Sequence, residues 1–93
     1  MEFQLQQIAG NKLAFVYEQQ GKKLAEITWQ QNGQVMVMDH TYVSDKLRGQ
    51  GVAKKLLDHA AAYAREHAYK MQAVCSYVVA AFEKSNAYDD VKQ

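Results

Sequence analysis

The chain has 93 residues, which suffice for one hydrophobic core and are too few for two. Its 11 basic and 10 acidic side chains nearly balance, whereas a general nucleic-acid binder carries a clear excess of lysine and arginine. No stretch approaches the ~20 apolar residues of a membrane span, so we expect one soluble domain over residues 1–93 without a nucleic-acid or membrane partner.

Four runs of apolar residues in the first half predict four β-strands. Within each run apolar residues alternate with smaller or more polar ones, which is the period of a half-buried strand. The runs cover Phe3 with Leu5, then residues 13–17, 24–29 and 35–38. They are separated at hairpin spacing by the turn dipeptides Gly10-Asn11, Gln20-Gly21 and Asn32-Gly33. We therefore predict an antiparallel meander of four strands.

The second half changes to the period of a helix. The apolar positions of the predicted first helix are Val52, Leu56, Leu57, Ala60, Tyr63, Ala64 and His67. Residues 71–74 predict a fifth strand, and residues 77–84 predict a second helix with an apolar stripe of Val78, Ala81 and Phe82. The predicted order is ββββαβα, an α+β domain.

The segment between the fourth strand and the long helix has the composition of an anion site. Its glycines allow a tight turn and a close approach of the backbone to a ligand. The first N–H groups of the helix lack partners within the helix, and the helix dipole favours an anion there. We expect a diphosphate to contact Arg48, Gly49, Gln50, Gly51, Val52, Ala53 and Lys54.

Two better-known phosphate loops do not fit this segment. A Walker loop continues with Lys-Ser or Lys-Thr after its last glycine, where this chain has Val52-Ala53. A dinucleotide fingerprint has three glycines after the first strand of a parallel unit, and this loop follows a fourth, antiparallel strand. The alternative interpretation is a strand-to-helix turn with a polar start and no ligand.

The order of motifs resembles that of the GNAT superfamily of acyl-CoA-dependent N-acetyltransferases. The cofactor signature of that superfamily is Arg/Gln-x-x-Gly-x-Gly/Ala, and Arg48, Gly51 and Ala53 occupy its defined positions. The chain is most similar to a very short GNAT-like family that contains little beyond the cofactor-binding half. The motifs shared with it are His40-Thr41-Tyr42-Val43, Arg48-Gly49-Gln50-Gly51, Cys75-Ser76-Tyr77, Phe82-Glu83-Lys84 and Tyr88-x-Asp90.

The chain departs from that pattern near its end. The short family usually has a proline where this chain has Ala73, and His-Pro where it has Ser85-Asn86. Larger members insert helices between the first two strands, but residues 8–12 leave room only for a turn. The resemblance therefore implies an open acceptor side, which favours a bulky acceptor such as a protein side chain, or a partner subunit that completes the site.

The resemblance also implies which residues act on the acetyl group. It places the thioester of acetyl-CoA where the fourth and fifth strands part, with His40 and Cys75 on either side and the N–H of Val43 near the thioester carbonyl. Cys75, just before a predicted helix, would carry the acetyl group, and His40 would be a general base. The alternatives are a small buried cysteine, a structural histidine and direct attack by the amine.

Other ionisable residues receive weaker assignments. His59 and His67 lie two helical turns apart without further metal ligands, so we interpret them as structural or solvent-facing. Tyr77 or Tyr88 could protonate the leaving thiolate, although aromatic packing explains both. The one cysteine permits no internal disulfide, and residues 1–7 lack the pattern of a signal peptide, so we expect a cytoplasmic protein.

The leading hypothesis is an N-acetyltransferase that moves an acetyl group from acetyl-CoA to an amine. The sequence names neither the amine, the acyl chain length nor the oligomeric state, and the acceptor could be a protein side chain. The alternative is a non-catalytic module that binds coenzyme A for regulation or as a scaffold. A third interpretation, a nucleic-acid or protein-interaction domain using Lys46, Arg48, Lys54 and Lys55, conflicts with the balanced charge.

Overall fold

The computed structural model describes all 93 residues and contains five strands and two α-helices. The strands are β1 (Gln4–Ala9), β2 (Lys12–Gln19), β3 (Lys22–Asn32), β4 (Val35–Val43) and β5 (Lys70–Ala73). The helices are α1 (Val52–His67) and α2 (Ser76–Lys84), and two single 3₁₀ turns cover Asp45–Leu47 and Asn86–Tyr88. The predicted order ββββαβα is confirmed.

The strands form one sheet in the order β1-β2-β3-β4-β5. The first three pairings are antiparallel, as the hairpin spacing predicts, whereas β5 lies parallel to β4 because α1 carries the chain back across the sheet. The C-terminal residues follow the outer edge of β5, where Lys92 bridges to Met71.

One face of the sheet carries the hydrophobic core. Phe15, Ile27 and Trp29 point from the central strands toward α1, whose inner face is buried. Val78 and Phe82 bring α2 against the same cluster. Met36, Met38 and Met71, which lie in the predicted fourth and fifth strands, are fully buried in it.

The opposite face of the sheet carries small and polar residues. Ala14 and Val16 are buried but lie outside the core cluster, because successive side chains of a strand point to opposite faces. Glu26 and Thr28 lie on the same face as these two residues and are also buried. Since both helices belong to the core on the first face, no helix covers this second face.

Two sequence predictions differ from the structure in burial. Leu5 lies opposite Phe15 in the sheet but remains 47% exposed, because β1 is the edge strand beyond the reach of α1. His67, predicted on the apolar side of the helix, is exposed and lies against the rings of Tyr63 and Tyr69.

The departures from the short family leave the regular elements intact. β5 and α2 form in the predicted places although Ala73 replaces the usual proline. Ser85 ends α2, and its hydroxyl accepts a hydrogen bond from the N–H of Ala87. Neither helix has the length and apolar character needed to cross a bilayer.

Candidate active site

The pairing between β4 and β5 stops halfway along β4. Its last pair is Met38 with Ala73, after which the N–H groups of Val74 and Cys75 both bond to the carbonyl of Met38, at 3.0 and 2.9 Å. β4 itself continues to Val43. A gap therefore opens between the second half of β4 and the chain that leaves β5.

The edge of β4 that faces this gap has free backbone groups. Ser44 donates its N–H to the carbonyl of Leu24 at 2.7 Å, which makes Val43 opposite Ala25 a pair without hydrogen bonds of its own. The N–H and C=O of Val43, and two residues earlier those of Thr41, consequently point away from β3 and into the gap. This geometry presents an unpaired strand edge next to Cys75.

The chain leaves β4 through a tight and well-defined loop. The hydroxyl of Ser44 accepts the N–H of Lys46 at 3.2 Å and begins the 3₁₀ turn of Asp45–Leu47. Gly49 and Gly51 have φ of +82° and +66°, a region that favours glycine. A Cβ built on either glycine meets no atom within 4 Å, so these residues serve the backbone turn and leave open space beside it.

The start of α1 leaves backbone donors without partners. The first helical bond runs from the N–H of Lys55 to the carbonyl of Gly51 at 3.1 Å, and no side chain caps this end. The N–H groups of Val52, Ala53 and Lys54 are therefore available to an anion, and no acidic residue lies in the first turn. These donors directly follow Arg48, Gly49, Gln50 and Gly51, so the predicted loop residues form one continuous run of backbone.

The charged side chains of the loop make local ion pairs. Arg48 lies at the surface with its guanidinium 2.9 Å from a carboxylate oxygen of Asp45. Lys54 donates to Asp58 at 2.8 Å, and this hydrogen bond raises the pKa of the lysine. Exposed pairs of this kind stabilise by at most ~1 kcal/mol, so a diphosphate can displace the carboxylates.

Cys75 lies at the start of α2 with its sulfur directed to β4. Its Sγ is 3.4 Å from the hydroxyl oxygen of Thr41, and both side chains are half-buried. Although Cys75 is the residue that precedes the helix, its side chain makes no capping bond. The contact with Thr41 thus spans the gap between β4 and the chain beyond β5.

His40 lies on the opposite side of β4 from Thr41. Its Nε2 is 3.6 Å from a carboxylate oxygen of Glu26, which also pairs with Lys23 at 3.1 Å. Because Thr41 faces the sulfur, alternation along the strand directs His40 to the face without helices. The structure places the two predicted catalytic residues beside the same stretch of β4 and does not bring them into contact.

The two candidate tyrosines occupy different environments. Tyr88 is buried, and its hydroxyl donates to Asp58 at 2.5 Å; burial first, and then this hydrogen bond, raises its pKa. The hydroxyl of Tyr88 thus already donates its proton to Asp58, and the ring packs against Phe82. Tyr77 is half-buried, and its pKa is also raised, mainly by burial and then by the charge of Asp58.

The remaining histidines are exposed and contact aromatic rings. The ring of His59 meets Phe15 edge-on with 4.5 Å between centroids, and His67 stacks on Tyr69. No cluster of histidine, cysteine and carboxylate side chains could hold a metal ion. The largest cavity, about 600 Å³, lies at the end of α2 beside Asn86, away from the gap between β4 and β5.

Sequence reasoning assigned no role to Thr41 or Glu26. Both contacts join residues that are far apart along the chain, Thr41 with Cys75 and Glu26 with His40. Strand alternation alone predicts that His40 and Thr41 point to opposite faces of the sheet. Which of the two faces the Cys75 sulfur depends on where the pairing between β4 and β5 ends, and the sequence does not show this.

The chain is similar to one protein family and to several solved structures. Residues 14–91 match the family described as GCN5-related N-acetyl-transferase. The solution structure of a GCN5-like candidate N-acetyltransferase from Staphylococcus aureus is 38% identical, with a TM-score of 0.72, and the match covers 97% of this chain and 87% of that one. No curated protein sequence matches significantly.

Larger acetyltransferases share the fold. The ribosomal-protein-S18-alanine N-acetyltransferase from Escherichia coli is 20% identical, with a TM-score of 0.64, over 82% of this chain and 52% of that one. A candidate streptothricin acetyltransferase from Bacillus anthracis, in complex with acetyl coenzyme A, is 17% identical, with a TM-score of 0.59, over 82% and 46%. At these identities the likeness concerns the fold alone.

Proposed function

The chain belongs to the GCN5-related N-acetyl-transferase family, whose members take the acetyl group from acetyl-CoA, and from this premise we propose how its own residues carry out the transfer. The observation that carries the proposal is the open edge of β4, which runs from the gap beside Cys75 to the unpaired N–H groups of α1. We assign the amine acceptor to the face without helices.

The residues of the loop fit a diphosphate attached to an extended arm. Three free N–H groups at the start of α1, together with Arg48 and Lys54, match the charge and hydrogen-bonding needs of the diphosphate. The free N–H and C=O of Thr41 and the C=O of Val43 can pair with the amides of the pantetheine arm as a neighbouring strand would. Bound acetyl-CoA supplies the activated acyl group, and the N–H of Val43 is assigned to its carbonyl oxygen.

Cys75 is assigned as the residue that receives the acetyl group. Its thiolate sulfur forms a new thioester bond, and the bond from the acetyl carbon to the sulfur of coenzyme A breaks. Coenzyme A leaves as the thiolate and takes up the proton that Cys75 lost on ionisation. A neutral amine then attacks the Cys75 thioester, which yields the amide and restores the thiol. The position of the sulfur supports this assignment, because it lies across the gap from the open edge of β4, 3.4 Å from the hydroxyl of Thr41.

His40 is assigned to the second half of the reaction. Its side chain is 54% exposed on the face without helices, where a large acceptor has free access. There it can accept the proton that the attacking amine loses. The turn of residues 10–11 between β1 and β2, in place of inserted helices, favours an acceptor as large as a protein side chain.

The reducing cytoplasm suits this chemistry. A catalytic Cys75 must remain a free thiol, and disulfide formation or oxidation would end activity. We therefore assign the reaction to that compartment, and localisation of the tagged full chain tests the assignment.

Release of coenzyme A from acetyl-CoA, measured with and without added amines, tests the proposed function. A panel should contain lysine-bearing peptides, amino-terminal peptides and small polyamines. We expect one equivalent of coenzyme A per chain without an amine and continued release with an amine. Cys75→Ser should abolish both, and His40→Gln should slow only the continued release. Absence of release with every amine class, from protein that binds acetyl-CoA, would contradict it.

A further inference from the structure

The contact between Thr41 and Cys75 is the one side-chain hydrogen bond that crosses the gap between β4 and the end of β5. The hydroxyl oxygen of Thr41 lies 3.4 Å from Sγ of Cys75, within range for a bond to sulfur. Neither side chain has another hydrogen-bond partner, and the sulfur does not cap α2. Either atom can be the donor, and the sulfur is the one side-chain acceptor within reach of the Thr41 hydroxyl.

The main chain holds both partners in place. Cys75 donates its N–H to the carbonyl of Met38 at 2.9 Å, and its own carbonyl accepts the N–H of Val79 at 3.0 Å. Thr41 lies in β4 directly opposite Ile27, a fully buried core residue. The separation of oxygen and sulfur is therefore set by regular elements and not by flexible loops.

The strength of this contact changes with the charge on sulfur. A thiol can donate to the hydroxyl or accept from it, but a thiolate can only accept. A hydrogen bond to an ionised acceptor is roughly twice as strong as a neutral one. Thr41 consequently favours the thiolate form, and its contribution increases as Cys75 becomes a nucleophile.

We propose that Thr41 is the positioning residue of Cys75: its hydroxyl donates to the sulfur, stabilises the thiolate and directs it across the gap. This inference rests on the proposed function only in naming the thiolate as the nucleophile. It assigns a role to a side chain outside the loop that is proposed to bind the diphosphate.

Alkylation of Cys75 by iodoacetamide at pH 7 tests the inference without any acetyl donor. Thr41→Val keeps the shape of the side chain and removes the hydroxyl, and we expect the alkylation rate to fall about tenfold. Thr41→Ser restores the hydroxyl and should return the rate to within about twofold of the original. Ser76→Ala is the matched control, because it removes the exposed hydroxyl of the adjacent residue.

The outcomes separate this inference from the proposed function. Equal alkylation rates in Thr41→Val and the original protein, both folded by circular dichroism, would overturn the inference and leave acetyl transfer standing. A slowed Thr41→Val, rescued by Thr41→Ser, supports the inference even in protein that forms no acetyl adduct. If Thr41→Val does not fold, Thr41→Ala provides the same comparison.

Discussion

Gly51 holds a conformation that suits few other residues. Its φ of +66° lies in the left-handed region, where a side chain costs about 1–2 kcal/mol, although a Cβ there would meet no neighbouring atom. We expect Gly51→Ala to lower the free energy of unfolding by that amount through backbone strain alone. Urea unfolding measures it, with Gly51→Asn as the control that recovers most of the loss. Equal stability of the alanine variant would mean that the residue does not adopt this conformation.

Asp58 links stability to pH through its two partners. Burial raises the pKa of its carboxyl, but hydrogen bonds from Lys54 and Tyr88 outweigh burial and hold the pKa below the ordinary 3.8. A lowered carboxyl pKa stabilises the fold above pH 3.8, and this contribution is lost as the pH falls through the lower folded value.

Tyr88→Phe tests this link. Loss of the hydroxyl should cost about 1 kcal/mol at neutral pH, a modest value because Asp58 is partly exposed. The difference from the original protein should shrink as the pH falls below 3.8, since a protonated Asp58 no longer gains from its donors. Urea unfolding as a function of pH measures the stability loss in Tyr88→Phe and its dependence on pH. A loss that stays constant in acid would contradict the link between Asp58 and stability.

The sequence identifies residues best where their role is local. The turn at Gly49 and Gly51 could be predicted from the sequence, because a positive φ before a helix favours glycine. The role of Arg48 at the diphosphate stays a prediction from its place in the motif, and in the structure its guanidinium pairs with Asp45. The contact of Thr41 with Cys75 was not, because residues 34 positions apart meet only through the packing of β4 against the end of β5.

At the scale of elements, the free edge of β4 can be tested as the surface that binds acetyl-CoA. The N–H of Val43 points into the gap, so Val43→Pro should cost little stability and weaken acetyl-CoA binding about tenfold, the value of one hydrogen bond. Tyr42→Pro is the contrasting variant, because the N–H of Tyr42 points to β3 and its loss should disrupt the sheet. Calorimetric titration beside thermal unfolding distinguishes them. Unchanged affinity in folded Val43→Pro would exclude the open edge as the binding surface.

The strands and helices could be predicted from the sequence, but the pairing of the strands in the sheet could be predicted only in part. Alternation and the Asn32-Gly33 dipeptide predicted β3 and β4 because both signals lie within a few residues. The turn itself is shifted by one residue, since Asn32 still pairs with Val35 and the two turn residues are Gly33 and Gln34. The parting of β4 and β5 after Met38 has no local signal, since it depends on the path of the chain through α1. The exposure of Leu5 was missed for the same reason: alternation gives the face of a strand but not its place at the sheet edge.

Because the chain has only 93 residues, binding of a ligand should raise its melting temperature by many degrees. A ligand at 100 times its Kd stabilises the folded state by about 2.7 kcal/mol, and each kcal/mol raises Tm by roughly 4–8 °C in a domain of this size. We expect saturating coenzyme A to raise Tm by roughly 10–20 °C, with a much smaller shift in Arg48→Ala. Differential scanning fluorimetry measures this. An equal shift in that variant would place the ligand elsewhere.

The most direct test of the account is the intact mass of the protein after incubation with acetyl-CoA in the absence of an amine. The account predicts one acetyl group per chain, located on Cys75 by peptide mapping, absent in Cys75→Ser and lost when an acceptor amine is added. Amine-dependent release of coenzyme A by protein that never carries the acetyl group, or undiminished release by Cys75→Ser, would contradict it and assign the transfer to direct attack by the amine.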